Sequence, residues 1–121
     1  MRKIAAIMIF ASFVITASPL QAEYAAPDAE TLKKGELLYK HSCLKCHGEK
    51  GSGTESGPPL VHKIYHPNHH SDMSFRWAVQ RGARSHHWTF GNMPKIDGVS
   101  DDEIEVLIKY IRNLQKEAGI F

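Results

Sequence analysis

A chain of 121 residues with 15 Lys and Arg, 13 Asp and Glu and two cysteines makes one small domain, whose surface takes a large share of its atoms. Two cysteines exclude a disulfide framework, and a formal charge of +2 without a dense basic run excludes the arm of a nucleic-acid binder. Some other group must supplement the core.

Arg2 and Lys3 precede an apolar run from Ile4 to Ala17, and small or polar residues follow to Ala22. That is the order of a secretory signal, and at roughly 14 residues the run is shorter than the ~20 that span a bilayer. The expected organisation is a removed segment, residues 1–22, and one domain, residues 23–121. The product is expected to be periplasmic or otherwise exported, with no transmembrane span; the alternative is a retained N-terminal anchor. Without Arg2 and Lys3 the charge balances, but asymmetrically: residues 33–96 are basic and the stretches on either side acidic, a dipole suited to steering an acidic surface.

Three helices are predicted. From Asp28 to His41, Leu32, Gly35, Leu38 and Tyr39 recur at helical spacing, with Asp28 or Thr31 near the cap. From Ser71 to Gly82, Phe75, Ala78 and Val79 form a shorter apolar face, and Gly82 stops it. From Ser100 to Ala118, Ile104, Leu107, Ile108, Ile111 and Leu114 give the strongest stripe, with Ser100 and Glu103 spaced as a capping box. Residues 48–60, GEKGSGTESGPPL, are loop by composition, and no alternating run is long enough for a sheet. Ordered loops this long in so small a domain usually wrap something.

Both cysteines stand in CLKCH, residues 43–47. A CxxC pair serves as a disulfide, a redox dithiol, half of a zinc site, or a haem attachment site when His follows directly. The dithiol use wants a βαβ setting, which these elements do not offer, and half a zinc site leaves Met93 and the long loops without a role. Haem attachment accounts for more. Cys43 and Cys46, about one helical turn apart, suit thioethers to the two vinyl groups of a porphyrin, with His47 as proximal iron ligand.

With these residues the chain resembles a class I cytochrome c from about Leu32 to Leu114. Gly35 and Tyr39 precede Cys43 as the family places them on its first helix, and LIKYI, residues 107–111, resembles its last helix. The resemblance implies that the terminal helices cross with Gly35 against Tyr110. GPPL, residues 57–60, resembles the loop that follows the haem motif, which implies that the Pro58 carbonyl accepts a hydrogen bond from His47 and raises its basicity. GNMP, residues 91–94, resembles the loop that supplies the distal ligand, which implies Met93 on the iron and a raised reduction potential. The implied fold is all-α, cytochrome c-like, with three to five helices wrapped around one covalently bound haem c and its iron. His86 and His87 are the rival distal ligands and would give a lower potential; Met73, early in the second predicted helix, is expected to be core.

Eight histidines depart from the family pattern. His62, His66, His69 and His70 fall in HKIYHPNHH, residues 62–70, and His86 and His87 follow in HHWTFGNMP, residues 86–94. One reading is a second metal site, most plausibly for copper, or a pH-sensitive partner surface. The other is loop histidines that hydrogen-bond near the haem edge, which the lack of an acidic or cysteine complement favours. Among Trp77, Trp88, Arg76, Arg81 and Arg84, the resemblance implies one Trp and one Arg on the haem propionates, since a buried carboxylate needs donors.

Closing both faces of the iron with His47 and Met93 leaves no position for substrate. The expected function is therefore a one-electron carrier between redox proteins rather than an enzyme, with Lys40, Lys45, Lys50 and Lys63 steering an acidic docking surface. The alternative is a haem protein that binds gas or peroxide, or a copper-linked redox protein using the His-rich loops.

Overall fold

The computed structural model describes residues 26–121; the expected signal, residues 1–22, and its boundary with the domain lie outside the described residues. Four α-helices follow in order: α1 (Ala29–Ser42), α2 (Leu44–His47), α3 (Asp72–Arg81) and α4 (Asp101–Glu117), with 3-10 turns at Glu49–Gly51 and Lys63–Tyr65. Among the described residues there is no strand, only the isolated bridges Thr54–Gly57 and Ala83–Met93, so the fold is all-α. No helix among them is long and apolar enough to cross a membrane.

The helix ends follow local chemistry. Asp28 caps α1 by accepting the Thr31 N–H at 2.8 Å, and Ser100 with Glu103 forms the capping box of α4. Acids fill the first turn of α4, where they meet the positive end of the helix dipole. One helix was not anticipated: CLKCH itself turns, with Cys43 serving as C-cap of α1 and N-cap of α2.

Helices α1 and α4 pack across each other at Gly35. A Cβ there would lie 2.5 Å from Tyr110 Cβ and 3.0 Å from the Val106 carbonyl oxygen, so hydrogen alone permits the approach. The Tyr39 ring tilts against Tyr110 with centroids 5.6 Å apart. Leu107, Ile111 and Leu60 join both tyrosines in the core.

Helix α3 differs. None of its residues is fully buried, and its apolar face of Phe75, Ala78 and Val79 looks into an open cavity. Met73 is 47% exposed, against the core role expected for it. Two residues before Phe75, it is turned by about 200° from that face.

The crossing generates a stability prediction. Gly35→Ala should lower unfolding free energy by about 1–3 kcal/mol through overpacking. Chemical denaturation of the loaded protein, with its visible spectrum unchanged before the transition, checks this.

Candidate functional site

The cavity beside α3 has a volume of about 450 Å³ and is lined by Cys43, His47, Pro58, Leu60, Trp88 and Met93, among others. Four of the five site residues read from the sequence, the haem contacts Cys43, His47 and Met93 and the His47 partner Pro58, therefore converge on one space; Cys46, adjoining His47 on α2, is exposed.

Each is positioned by its own backbone. Tyr39, buried in the core, donates its hydroxyl to the Gly48 carbonyl at 2.8 Å, which pins the chain just after CLKCH. The loop then folds back: Thr54 Oγ1 donates to the Cys46 carbonyl at 2.7 Å, and the Leu60 N–H donates to Gly51 at 2.8 Å. At Gly57 a Cβ would meet the Cys46 carbonyl oxygen at 2.8 Å, so glycine lets GPPL lie directly on α2.

That docking brings Pro58 to His47. The buried imidazole donates Nδ1–H to the Pro58 carbonyl at 2.9 Å. A carbonyl only accepts, so the proton must sit on Nδ1 and Nε2 keeps its lone pair. Burial holds His47 below the ordinary histidine range, while the Pro58 hydrogen bond works in the opposite direction. Burial favours the neutral ring and the hydrogen bond orients it, so Nε2 is aimed as a lone-pair donor. Both cysteines are free thiols; burial first, and Cys46 second, push the Cys43 thiol up to about 11.

Met93 is held by its main chain. Its N–H donates to Ala83 at 2.9 Å and its carbonyl accepts from Ala83 at 3.0 Å. Gly82, with φ +80°, lets the end of α3 abut this pair, since a Cβ would lie 2.5 Å from the Met93 carbonyl oxygen. The Ile96 N–H adds a bond to Val79 at 2.8 Å. Residues 84–92 thus leave and rejoin the fold at one point.

The aromatic and basic residues divide. Arg76 pairs with Asp101 at 3.7 Å and with Glu105, and Arg81 lies over the Trp77 ring at 5.5 Å. Arg84 and both tryptophans line the cavity, and Trp88 donates its indole N–H to Tyr65 Oη at 3.2 Å. The histidines divide as well. His62 accepts the Ile64 N–H at 3.3 Å and His66 the Asn68 N–H at 3.1 Å, each stiffening its own turn. His69, His70, His86 and His87 gather along the cavity lining.

Sequence reading missed two supports, Arg112 and Gln115, both buried on α4. Arg112 donates to Asp72 Oδ1 at 2.6 Å, to the Tyr65 carbonyl at 2.7 Å, to Gln115 Oε1 at 2.7 Å and to the His70 carbonyl. Gln115 in turn donates to the Leu60 carbonyl at 2.7 Å. The signal was present: both continue the apolar face of Ile104, Ile108 and Ile111 at three- and four-residue spacing, where a solvated side chain does not belong.

Compared with known proteins, residues 32–115 match the cytochrome c family, and no curated protein matches the chain. The chain belongs to the cytochrome c family. It is accordingly a haem electron carrier, in a family defined by covalently bound haem c with iron. The residues present fit that group. The Cys43 thiol, an imidazole with Nε2 available and a thioether stand around a largely apolar cavity, with the exposed Cys46 thiol beside His47 on α2, and Phe75, Ala78 and Val79 of α3 face that cavity.

Arg112 generates the prediction here. Arg112→Leu should cost about 2–3 kcal/mol, because Asp72 and the Tyr65 and His70 carbonyls lose a charged donor. Arg112→Lys should recover only part, since an ammonium lacks the planar fork. Urea denaturation of the three proteins checks the order.

Proposed function

We propose that the protein is an exported, periplasmic-type monohaem cytochrome that passes single electrons between redox proteins. Cys43 and Cys46 hold the haem by thioethers, His47 is the proximal ligand and Met93 the distal one. The observation that carries this reading is the Pro58 carbonyl on His47 Nδ1 at 2.9 Å, which aims the only buried imidazole of the chain's described residues from a cavity that Met93 also lines.

When bound, the haem supplies an iron that exchanges one electron between ferric and ferrous states. The chain's own work is positional. Pro58 fixes the His47 tautomer and raises its basicity. The Ala83–Met93 pairing holds a neutral thioether, a ligand that favours the ferrous state over what a second imidazole would. Phe75, Ala78 and Val79 exclude water, which limits reorganisation of the surroundings as charge changes. With both ligands supplied by protein, no position is left for a substrate. Arg84, with Trp77 or Trp88, is the pair best placed to meet propionates.

Exposed Lys45, Lys50 and Lys63 supply the positive surface for an acidic partner. Lys40 contributes less, because Glu36 neutralises it at 2.7 Å.

Two measurements test the reading. The exported protein should be coloured and heavier than its polypeptide by one haem, and Cys43→Ser with Cys46→Ser should yield a colourless, poorly folded product; a colourless wild type overturns the proposal. The ferric protein should show the weak red charge-transfer band of a thioether–iron bond. Met93→Leu should abolish that band, lower the reduction potential and let the reduced protein bind carbon monoxide. A band that survives in Met93→Leu assigns the distal position elsewhere.

A further inference from the structure

Four histidines on two separate loops remain unused by the electron-transfer reading. His69 and His70 end the segment after the second 3-10 turn, and His86 and His87 sit on the excursion closed by Ala83 and Met93. One ligating nitrogen from each of His69, His70 and His87 lies within 4.8 Å of the others. We infer that these three form a second metal site, for a late first-row divalent ion, with Cu²⁺ held more tightly than Zn²⁺.

The spacing suits such an ion. Bonds of 2.0–2.1 Å to imidazole separate neighbouring donors by about 3.3 Å in a tetrahedron and about 2.9 Å in the square plane that Cu²⁺ prefers, and the Nε2 atoms of His69 and His87 are 3.1 Å apart. The third donor is already oriented. His70 donates Nδ1–H to the Ile64 carbonyl at 2.8 Å, which leaves the Nε2 lone pair for a metal, the carbonyl–histidine–metal relay that steers ligating imidazoles. The buried Arg112 holds the His70 carbonyl, so this donor is fixed through its ring and its main chain. His86 repeats the device: its Nδ1–H donates to the Arg84 carbonyl at 2.8 Å, and its ring centroid is 4.2 Å from that of His87. It adjoins the group without belonging to it.

The donor chemistry selects the ion. No carboxylate or thiolate belongs to the group, which disfavours the hard cations Mg²⁺ and Ca²⁺. Neutral imidazoles suit zinc, nickel and copper, and affinity among these peaks at copper. Burial above all, with the neighbouring imidazoles acting in the same direction, holds His70 and His87 below the usual histidine range, although the Ile64 hydrogen bond opposes it at His70; this favours lone pairs over protons at the site. His69 and His87 stand at the exposed edge of the cavity lining, whereas His47 is buried, so an ion from solvent reaches this group without passing His47.

The test uses untagged, haem-loaded protein titrated with CuCl₂ and with ZnCl₂, followed by calorimetry and, for copper, by electron paramagnetic resonance with nitrogen hyperfine structure. One equivalent of Cu²⁺ should bind, more tightly than Zn²⁺. His69→Ala with His87→Ala should weaken it more than about tenfold, while His66→Ala, outside the group, leaves it unchanged. Both variants should retain the wild-type ferric spectrum before metal is added. Absence of stoichiometric copper binding, or undiminished binding in the double variant, overturns the inference. A changed haem spectrum in the metal-free double variant also overturns it, by placing one of these imidazoles on the iron. A colourless wild type that still takes up one Cu²⁺ would sink the electron-transfer reading and leave this one standing.

Discussion

Where α1 crosses α4, the missing side chain of Gly35 lets Tyr110 approach to a separation no other residue allows. That distance propagates. It seats Tyr39 against Tyr110, Tyr39 reaches the carbonyl of Gly48, and Gly48 directly follows His47. The buried His47 imidazole is thus located, three contacts away, by an atom that is not there. A helix pair this close also explains how few residues suffice for the core, with Leu107, Ile111 and Leu60 completing it.

The loops are long but not loose, because α4 supplies them with donors. Backbone carbonyls buried without partners are costly, and a chain with little regular structure between Gly48 and Ser71 exposes many. Arg112 and Gln115 answer three of them, at Leu60, Tyr65 and His70. Packing of Arg112 over the Phe75 ring at 4.7 Å also joins this polar centre to the cavity side of α3. The last helix therefore does two jobs: one face builds the core with α1, and its continuation organises the segment that bears the histidines.

Much of this was legible in the residues. Periodicity placed three helices within a residue or two of their ends, because capping by Asp28 and Ser100 is local chemistry. The CLKCH, GPPL and GNMP stretches, read with the family resemblance, located the cavity's walls. What stayed hidden depends on distance across the chain. Met73 is a different case: helical spacing already set it about 200° from Phe75, and the side chain proves exposed. The four histidines of residues 62–70 read as one rich tract, yet His62 and His66 serve their own turns while His69 and His70 meet His86 and His87 from the other loop. The arginines near the tryptophans looked interchangeable until ion pairing with Asp101 and Glu105 withdrew Arg76.

The two-way pairing of Ala83 with Met93 separates inheritance from invention. Because the excursion departs and returns through a single knot, substitutions or insertions between its ends leave the sulfur where it was. Natural variation can therefore rework what the excursion shows to the outside, at residues such as the exposed Thr89, while the main-chain frame of Met93 stays insulated from the experiment.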